Sequence, residues 1–313
     1  LAGGEDFLER DRGDLIGQEF FITTEDGWQL ALEEFEPWGN IPKATLLLGP
    51  AMMVNRRSLD RPAGKGLASY LSHQGFRVYT LDPRGHGASR PKASRSEDWS
   101  YDQIIDYDLP GVLRELRRRH PNAPLVLMGH SLCGHAGAAA LARHPDLQVD
   151  ALVLIAANAW VRAAEPRSWR WMCKRLVTAA WKITTNRYGY FPAKRLGVGS
   201  DDEARSYVKQ LARFVEKGTW CNQDGSVDYY PQLANVRIPV LSVNGKGDWL
   251  LSNRDSAGWF NDGLCNAPVV SWEIAASDYH AQEEPGHMTL VVDNRCHPVW
   301  QRLAKWIEEA TTP

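Results

Sequence analysis

The sequence predicts an α/β chain: a mostly parallel sheet with helices on both faces. Short apolar runs alternate with stretches of helical period along most of its length. The runs "ATLLLG" (44–49), "PLVLMG" (124–129) and "ALVLIAA" (151–157) also lack a polar-out alternation, as strands buried on both faces do. Finally, "GHSLCG" (129–134) sets a sharp turn between an apolar run and a run of alanines.

In chain order, residues 19–35 read as a hairpin. Phe20 and Ile22 alternate, Glu25-Asp26-Gly27 turns, and Trp28, Leu30 and Leu32 alternate again. Residues 62–74 read as a helix closed by Gly75, and "FRVYTLD" (76–82) as the next strand. Residues 100–119 have helical spacing with a kink expected at Pro110, and a helix is expected over 132–144. The alternation stops over 159–231 and resumes with "IPVLSVNG" (238–245), "PVVSWEI" (268–274) and a closing helix over 298–309. This divides the chain into a first core part (1–158), a helical insertion (159–231) and a second core part (232–313). An insertion between strands of one sheet is expected to lie as a lid over the sheet's C-terminal edge, where open α/β sheets bind ligands.

Length and composition fit this reading. The 313 residues suit one large α/β domain with an insertion, and 43% hydrophobic with 24% charged residues is ordinary for a globular chain. A net charge of −2 gives no reason to expect nucleic acid as a partner. No apolar run approaches the ~18 residues of a membrane span. The start, Leu1-Ala2-Gly3-Gly4, has neither an initiator Met nor a signal peptide's basic and apolar regions, which leads us to expect a processed or truncated end. Five cysteines (Cys133, Cys173, Cys221, Cys265, Cys296) require no disulfide framework, and they favour a reducing, cytoplasmic setting over a secreted one.

A strand, a turn on Ser131 and a helix from Leu132 form a nucleophile elbow, which lifts the serine above the sheet at the positive end of a helix. Strand and helix approach closely there, so small side chains are needed at Gly129 and Gly134. Cys133 stands where G-x-S-x-G places its second glycine. It is small enough to be buried and is expected to face the sheet, although a helix N-terminus can activate a thiol. Partners for a serine nucleophile follow in the order Ser…Asp…His: Asp248 after "IPVLSVNG" and His287 in "EEPGHMTLV". Asp255, His280 and His297 are the competitors. An oxyanion hole needs backbone N–H donors. Leu132 should supply one. The other should come from Ala51, with Met52 as the alternative, since Pro50 has no N–H.

With "GFRVYTLDPRGHGAS" (75–89), "GHSLCG", "GKGDW" and "PGHM", the chain resembles the α/β-hydrolase superfamily. It is most similar to the serine-hydrolase branch of monoacylglycerol lipases, serine aminopeptidases and small carboxylesterases. The resemblance implies an eight-stranded sheet with the insertion after strand 6, no metal or organic cofactor, and hydrolysis through an acyl-enzyme. The expected partner is a small-molecule ester, and an acyltransferase, an amide- or thioester-cleaving enzyme and a non-catalytic binding protein are the alternatives. Two departures stand out: Cys133 in the elbow, and "GPAMM" in place of a His-Gly pair before the oxyanion donor. Polyhydroxyalkanoate synthases also lack that pair but carry cysteine at the nucleophile position, here Ser131. In "DPRGHG", Asp82, Arg84 and His86 read as a structural turn.

In the insertion, Trp169, Met172, Cys173, Leu176, Val177 and Ala180 share one helical face, and Lys174, Arg175, Thr178 and Lys182 the other. A second helix is signalled by a capping box, Ser200-x-x-Glu203, and closed by Gly218. Trp160, Trp169, Met172 and Phe214 are expected to wall an apolar pocket. The basic face suits either solvent or an anionic substrate or membrane surface.

Overall fold

The hairpin forms as β1 (Gln18–Thr23) and β2 (Gln29–Phe35), an antiparallel pair. Gly27 turns it at φ +84°, a region glycine enters without steric cost. The structure is a computed structural model that describes residues 17–39 and 41–312. The chain start at Leu1-Ala2-Gly3-Gly4 lies outside them.

The apolar runs become β3 (Thr45–Gly49), β4 (Arg77–Asp82), β5 (Leu125–His130), β6 (Ala151–Ile155), β7 (Val240–Gly245) and β8 (Val269–Ile274). The strand order is β1-β2-β4-β3-β5-β6-β7-β8, with β2 antiparallel to β4 and every pair from β4 to β8 parallel. Leu47, Leu127 and Leu152 enter the core on one face, and Leu46, Val126 and Val153 that on the other. Both faces are buried, which is why these runs show no polar alternation.

The longer helices are α1 (Leu67–His73), α2 (Leu109–Arg119), α3 (Leu132–Arg143), α4 (Ser168–Tyr188), α5 (Arg205–Lys217), α6 (Arg254–Gly263) and α7 (His297–Thr311). Leu71 of α1 and Trp300 of α7 cover one face; Leu113 of α2, Ala139 of α3 and Phe260 of α6 cover the other. Two boundaries differ from expectation. The helix expected from residue 62 starts at Leu67, because Asp60 binds the amides of Gly64, Gly66 and Ser69 and holds the preceding residues in a loop. The kink expected at Pro110 is a π-helical turn over Ile104–Asp108. Pro110 follows directly in the same continuous helix, where the Leu109 N–H reaches back to the Ile104 carbonyl, so the irregular turn lies just before the proline. Between β6 and β7 the chain forms α4 and α5, which pack on each other. The helical turn Tyr229–Gln232 packs with α3 and α6.

Helix α3 lies almost against the sheet. A Cβ on Gly129 would sit 2.3 Å from the Cys133 carbonyl group, and one on Gly134 2.5 Å from Ala157 Cβ. Cys133 fits because its neighbour in β3 is Gly49, where a Cβ would come within 2.5 Å of Cys133 Cβ and 2.7 Å of its Sγ.

Buried polar groups fasten the insertion to the core. The expected capping box does not form: Ser200 Oγ donates to Asp201 (2.8 Å), while Glu203 accepts the Met53 N–H (2.6 Å) and faces His86 Nε2 (3.1 Å). Helix α5 then starts at Arg205 without a side-chain cap, and Asp98 binds the Ser206 N–H and hydroxyl. Arg84 is fully buried between Asp108 (2.6 Å) and Asp26 (2.9 Å), and Asp82 pairs with Arg56, so the "DPRGHG" turn is a structural ion network. His86 Nδ1 faces the Arg84 carbonyl at 2.9 Å, so both ring nitrogens meet acceptors and the ring is satisfied as imidazolium. Burial disfavours its charge, but Glu203, with help from the Arg84 carbonyl and Asp201, outweighs burial and raises its pKa to about 9.

Two predictions follow from this packing. Gly49→Ala should cost about 1–3 kcal/mol through overpacking. Adding Cys133→Gly should restore most of it, less the ~1 kcal/mol of a helical glycine; strictly additive losses in thermal denaturation would refute the coupling. The His86 contribution, with a folded pKa raised above the ordinary 6.5, should be complete below that value and vanish as pH rises through about 9. Wild type should therefore lose more thermal stability than His86→Gln between pH 6 and 9.5, and parallel curves would contradict this.

Candidate active site

The sheet order reverses between β3 and β5, and the residue after β5 is Ser131. A crevice opens at such a switch point. Ser131 sits at φ +49°, ψ −106°, donates its N–H to Ile155 O (2.8 Å) and leads directly into α3. That strained backbone is the elbow expected from the sequence. The Leu132 amide lies in the first turn of α3, where helical N–H groups have no intrahelical partner. Beyond β3, the amides of Ala51 and Met52 donate to no group among the described residues, and both line one cavity with Ser131 and Leu132.

Asp248 follows β7 and His287 follows β8, and the structure brings them together: His287 Nδ1 lies 2.6 Å from Asp248 Oδ2. Asp248 Oδ1 accepts the Leu251 N–H at 3.0 Å. Burial favours the neutral carboxyl, but the His287 hydrogen bond and charge and nearby backbone amides outweigh it, so its pKa lies below the ordinary value. His287 also lines the cavity beside Ser131, and no hydrogen bond joins the two among the described contacts. The competitors lie elsewhere: Asp255 pairs with Arg170 (3.2 Å), His280 is exposed, and His297 stacks on Tyr70 with ring centroids 5.0 Å apart. Cys133 is fully buried, and its surroundings push the thiol well above its ordinary range, which removes it as a nucleophile.

Two histidines beside Ser131 escaped the sequence reading. His130 Nε2–H donates to the backbone carbonyl of His287 (2.9 Å) and ties the histidine loop to β5. Burial, then the neighbouring His287, lower its pKa to about 3, so it is a neutral donor. His135, one turn into α3, lines the cavity; its Nδ1 pairs with the Tyr101 hydroxyl (2.7 Å), and burial likewise pulls it to about 3. Their only sequence signal is nearness to Ser131.

The cavity holds about 410 Å³ and is mainly apolar: Met52, Trp160, Trp181, Leu211, Phe214 and Trp220 are among its walls. Of the expected pocket residues, Trp160 and Phe214 are present, Trp160 stacked on Trp181. Trp169 and Met172 are not: they are 53% and 51% exposed, with Trp169 stacked on Trp249. Helix α4 buries part of its polar face: Lys174, Thr178 and Thr185 are buried beside the half-buried Val177 and Trp181, while Leu176 and Ile183 face outward. Lys174 forms a buried ion pair with Glu165 (3.1 Å) and lies over the Trp160 ring. Among the described residues, no group of three or more His, Cys, Asp or Glu is placed to hold a metal, the five cysteines are unpaired, and no helix is long and apolar enough to cross a membrane.

The sequence model of the family described as serine aminopeptidase, S33, matches residues 63–280. Among solved structures, a thermophilic esterase from Thermogutta terrifontis superposes with a TM-score of 0.58 at 20% identity, covering 94% of this chain and 100% of that one. A Pyrococcus furiosus esterase superposes with a TM-score of 0.58 at 17% identity, covering 96% and 94%. Human lipase member N is 29% identical over 143 residues, which span 42% of this chain and 36% of the lipase.

Proposed function

The chain belongs to the serine aminopeptidase S33 family of the α/β-hydrolase superfamily, and from that premise we propose that it is a serine hydrolase cleaving a carboxylic ester with an apolar or bulky group. The observation that carries this reading is the His287–Asp248 pair at 2.6 Å, opening onto the same cavity as a serine in a strained elbow. Asp248 holds the His287 Nδ1–H, which leaves Nε2 free to take the Ser131 proton. Ser131 Oγ then attacks the ester carbonyl. The negative charge that forms on the carbonyl oxygen is met by the amides of Leu132 and of Ala51 or Met52. His287 returns the proton to the departing alcohol, and water, deprotonated by the same histidine, frees the acid from Ser131.

The cavity favours an ester over a peptide amino terminus. A bound α-ammonium needs an anionic partner, and no Asp or Glu is among the described residues lining it. Trp160 and Phe214 would meet the apolar part of the substrate. The same serine chemistry would serve acyl transfer if an alcohol or amine replaced water.

A fluorophosphonate should label Ser131 stoichiometrically, mapped by peptide mass spectrometry, and leave Ser131→Ala unlabelled. Hydrolysis of p-nitrophenyl butyrate should fall about 10⁴-fold or more in Ser131→Ala and His287→Ala and about 10⁴-fold in Asp248→Asn. Folded protein that neither labels nor turns over would overturn the reading. Phe214→Ala should raise KM for a hexanoyl ester about 10-fold while leaving KM for the acetyl ester within about 3-fold, and an equal change in KM on both would remove Phe214 from the acyl wall.

A further inference from the structure

Met53 closes the loop that begins at Ala51 and Met52, and it is held at φ +62°. A residue with a side chain keeps that conformation only where its surroundings impose it. Here the surroundings come from the insertion. The Met53 N–H donates to Glu203 Oε1 (2.6 Å), and its carbonyl accepts from the amides of Ser200 (2.8 Å) and Asp201 (3.1 Å). Gly199 comes so close that a Cβ there would lie 2.3 Å from the Met53 oxygen. One residue past Val54, the Asn55 side-chain Nδ2 donates to Ser200 Oγ (3.1 Å) and Asp201 Oδ2 (2.6 Å).

Glu203 is itself fixed. Its backbone pairs in both directions with Phe191, at 2.9 and 3.0 Å, and His86 faces the same carboxylate oxygen that takes the Met53 amide. Met53 thus has both backbone polar groups committed to the insertion, while the amides of Ala51 and Met52, two residues that line the cavity, have no partner among the described residues. Helix α5, which starts two residues after Glu203, supplies Tyr207, Leu211 and Phe214 to that cavity.

We propose that Glu203 is a positioning residue for ester cleavage: its carboxylate holds Met53 and thereby aims the Ala51 and Met52 amides at the carbonyl oxygen of an acyl group on Ser131. On this view the oxyanion site is completed by the insertion, through the segment Gly199–Glu203, and not by the core alone. The proposal rests on the reading of Ser131 as the nucleophile.

The test compares wild type with Glu203→Ala, Glu203→Gln and Gly199→Ala, measuring kcat and KM on p-nitrophenyl butyrate and the rate of inactivation by a fluorophosphonate, each per folded molecule. Glu203→Ala and Gly199→Ala should lower kcat about 10²-fold, the scale of one lost oxyanion donor, with KM changed less than about 3-fold. Inactivation should slow in parallel. Glu203→Gln keeps an oxygen for the Met53 amide and should recover about 10-fold of the loss. A purely structural role would shift the melting temperature and leave kcat of the folded protein at the wild-type value, which overturns the proposal. If Glu203→Ala does not fold, Gly199→Ala decides: it leaves every charge in place, and wild-type kcat there overturns the proposal equally. Wild-type protein labelled at Ser131 but insensitive to all three substitutions defeats only the role of Glu203. Wild type that neither labels nor turns over defeats the serine-hydrolase reading, and this inference falls with it.

Discussion

The close approach of α3 to the sheet is the constraint from which the rest of the site follows. A helix separated from a strand by a single residue must reverse direction there, and Ser131 absorbs that reversal at φ +49°. The cost is tolerated because the first turns of α3 carry almost no side-chain volume toward the strands, so the helix end comes to rest over the sheet edge. The one exception, Cys133, is accommodated across the interface: Gly49 gives up its Cβ volume to it. Gly49 is also the last residue of β3, where the loop carrying Ala51 and Met52 begins. The contact that admits the cysteine therefore sits at the root of the loop that carries those two residues to the cavity.

A second constraint is the placement of buried charge. A buried carboxylate or ammonium is tolerable only beside its partner, and removing one partner alone costs about 3–5 kcal/mol. Glu203 with His86 is such a pair between insertion and core, and Glu165 with Lys174 is one within the insertion that is tied to the core by Asn253, which donates to Glu165 (2.9 Å). They do not make the insertion more stable than apolar packing would, but they admit few alternative placements. A helix docked by apolar contacts can rotate or slide to another fit; one docked through Lys174 cannot turn without stranding Glu165.

This explains which parts were legible in the sequence. The parallel strands were readable because burial on both faces leaves continuous apolar runs. Ser131, Asp248 and His287 were legible as candidates because they follow β5, β7 and β8 in the order Ser…Asp…His that serine chemistry would require. The orientation of α4 was not: periodicity reports which residues share a face, and the apolar face containing Trp169 and Met172 was assigned inward by default. Lys174, bound to a partner nine residues earlier, takes a place on the buried side and leaves Trp169 and Met172 outward, and local pattern carries no signal for that pairing. The Ser200/Glu203 spacing misled in the same way. It matches a helix cap, yet Glu203 is used by Met53, 150 residues away in sequence. His130 and His135 show the same limit, since their roles rest on the His287 carbonyl and the Tyr101 hydroxyl.

One short stretch of the insertion, Gly199 to Phe214, therefore faces two ways. Its first residues grip Met53 and its helix walls the cavity. If Met53 is the hinge between the insertion and the oxyanion amides, the group that fills the cavity and the charge that forms on the carbonyl oxygen bear on the same rigid element. Changes on the cavity side of α5 would then reach the chemistry through Glu203 as well as through substrate fit. Changes at Trp160, which is anchored separately to the Leu251 carbonyl, would act through fit alone. The two walls of one apolar cavity are in this sense unequal, and the difference lies in what each is fastened to.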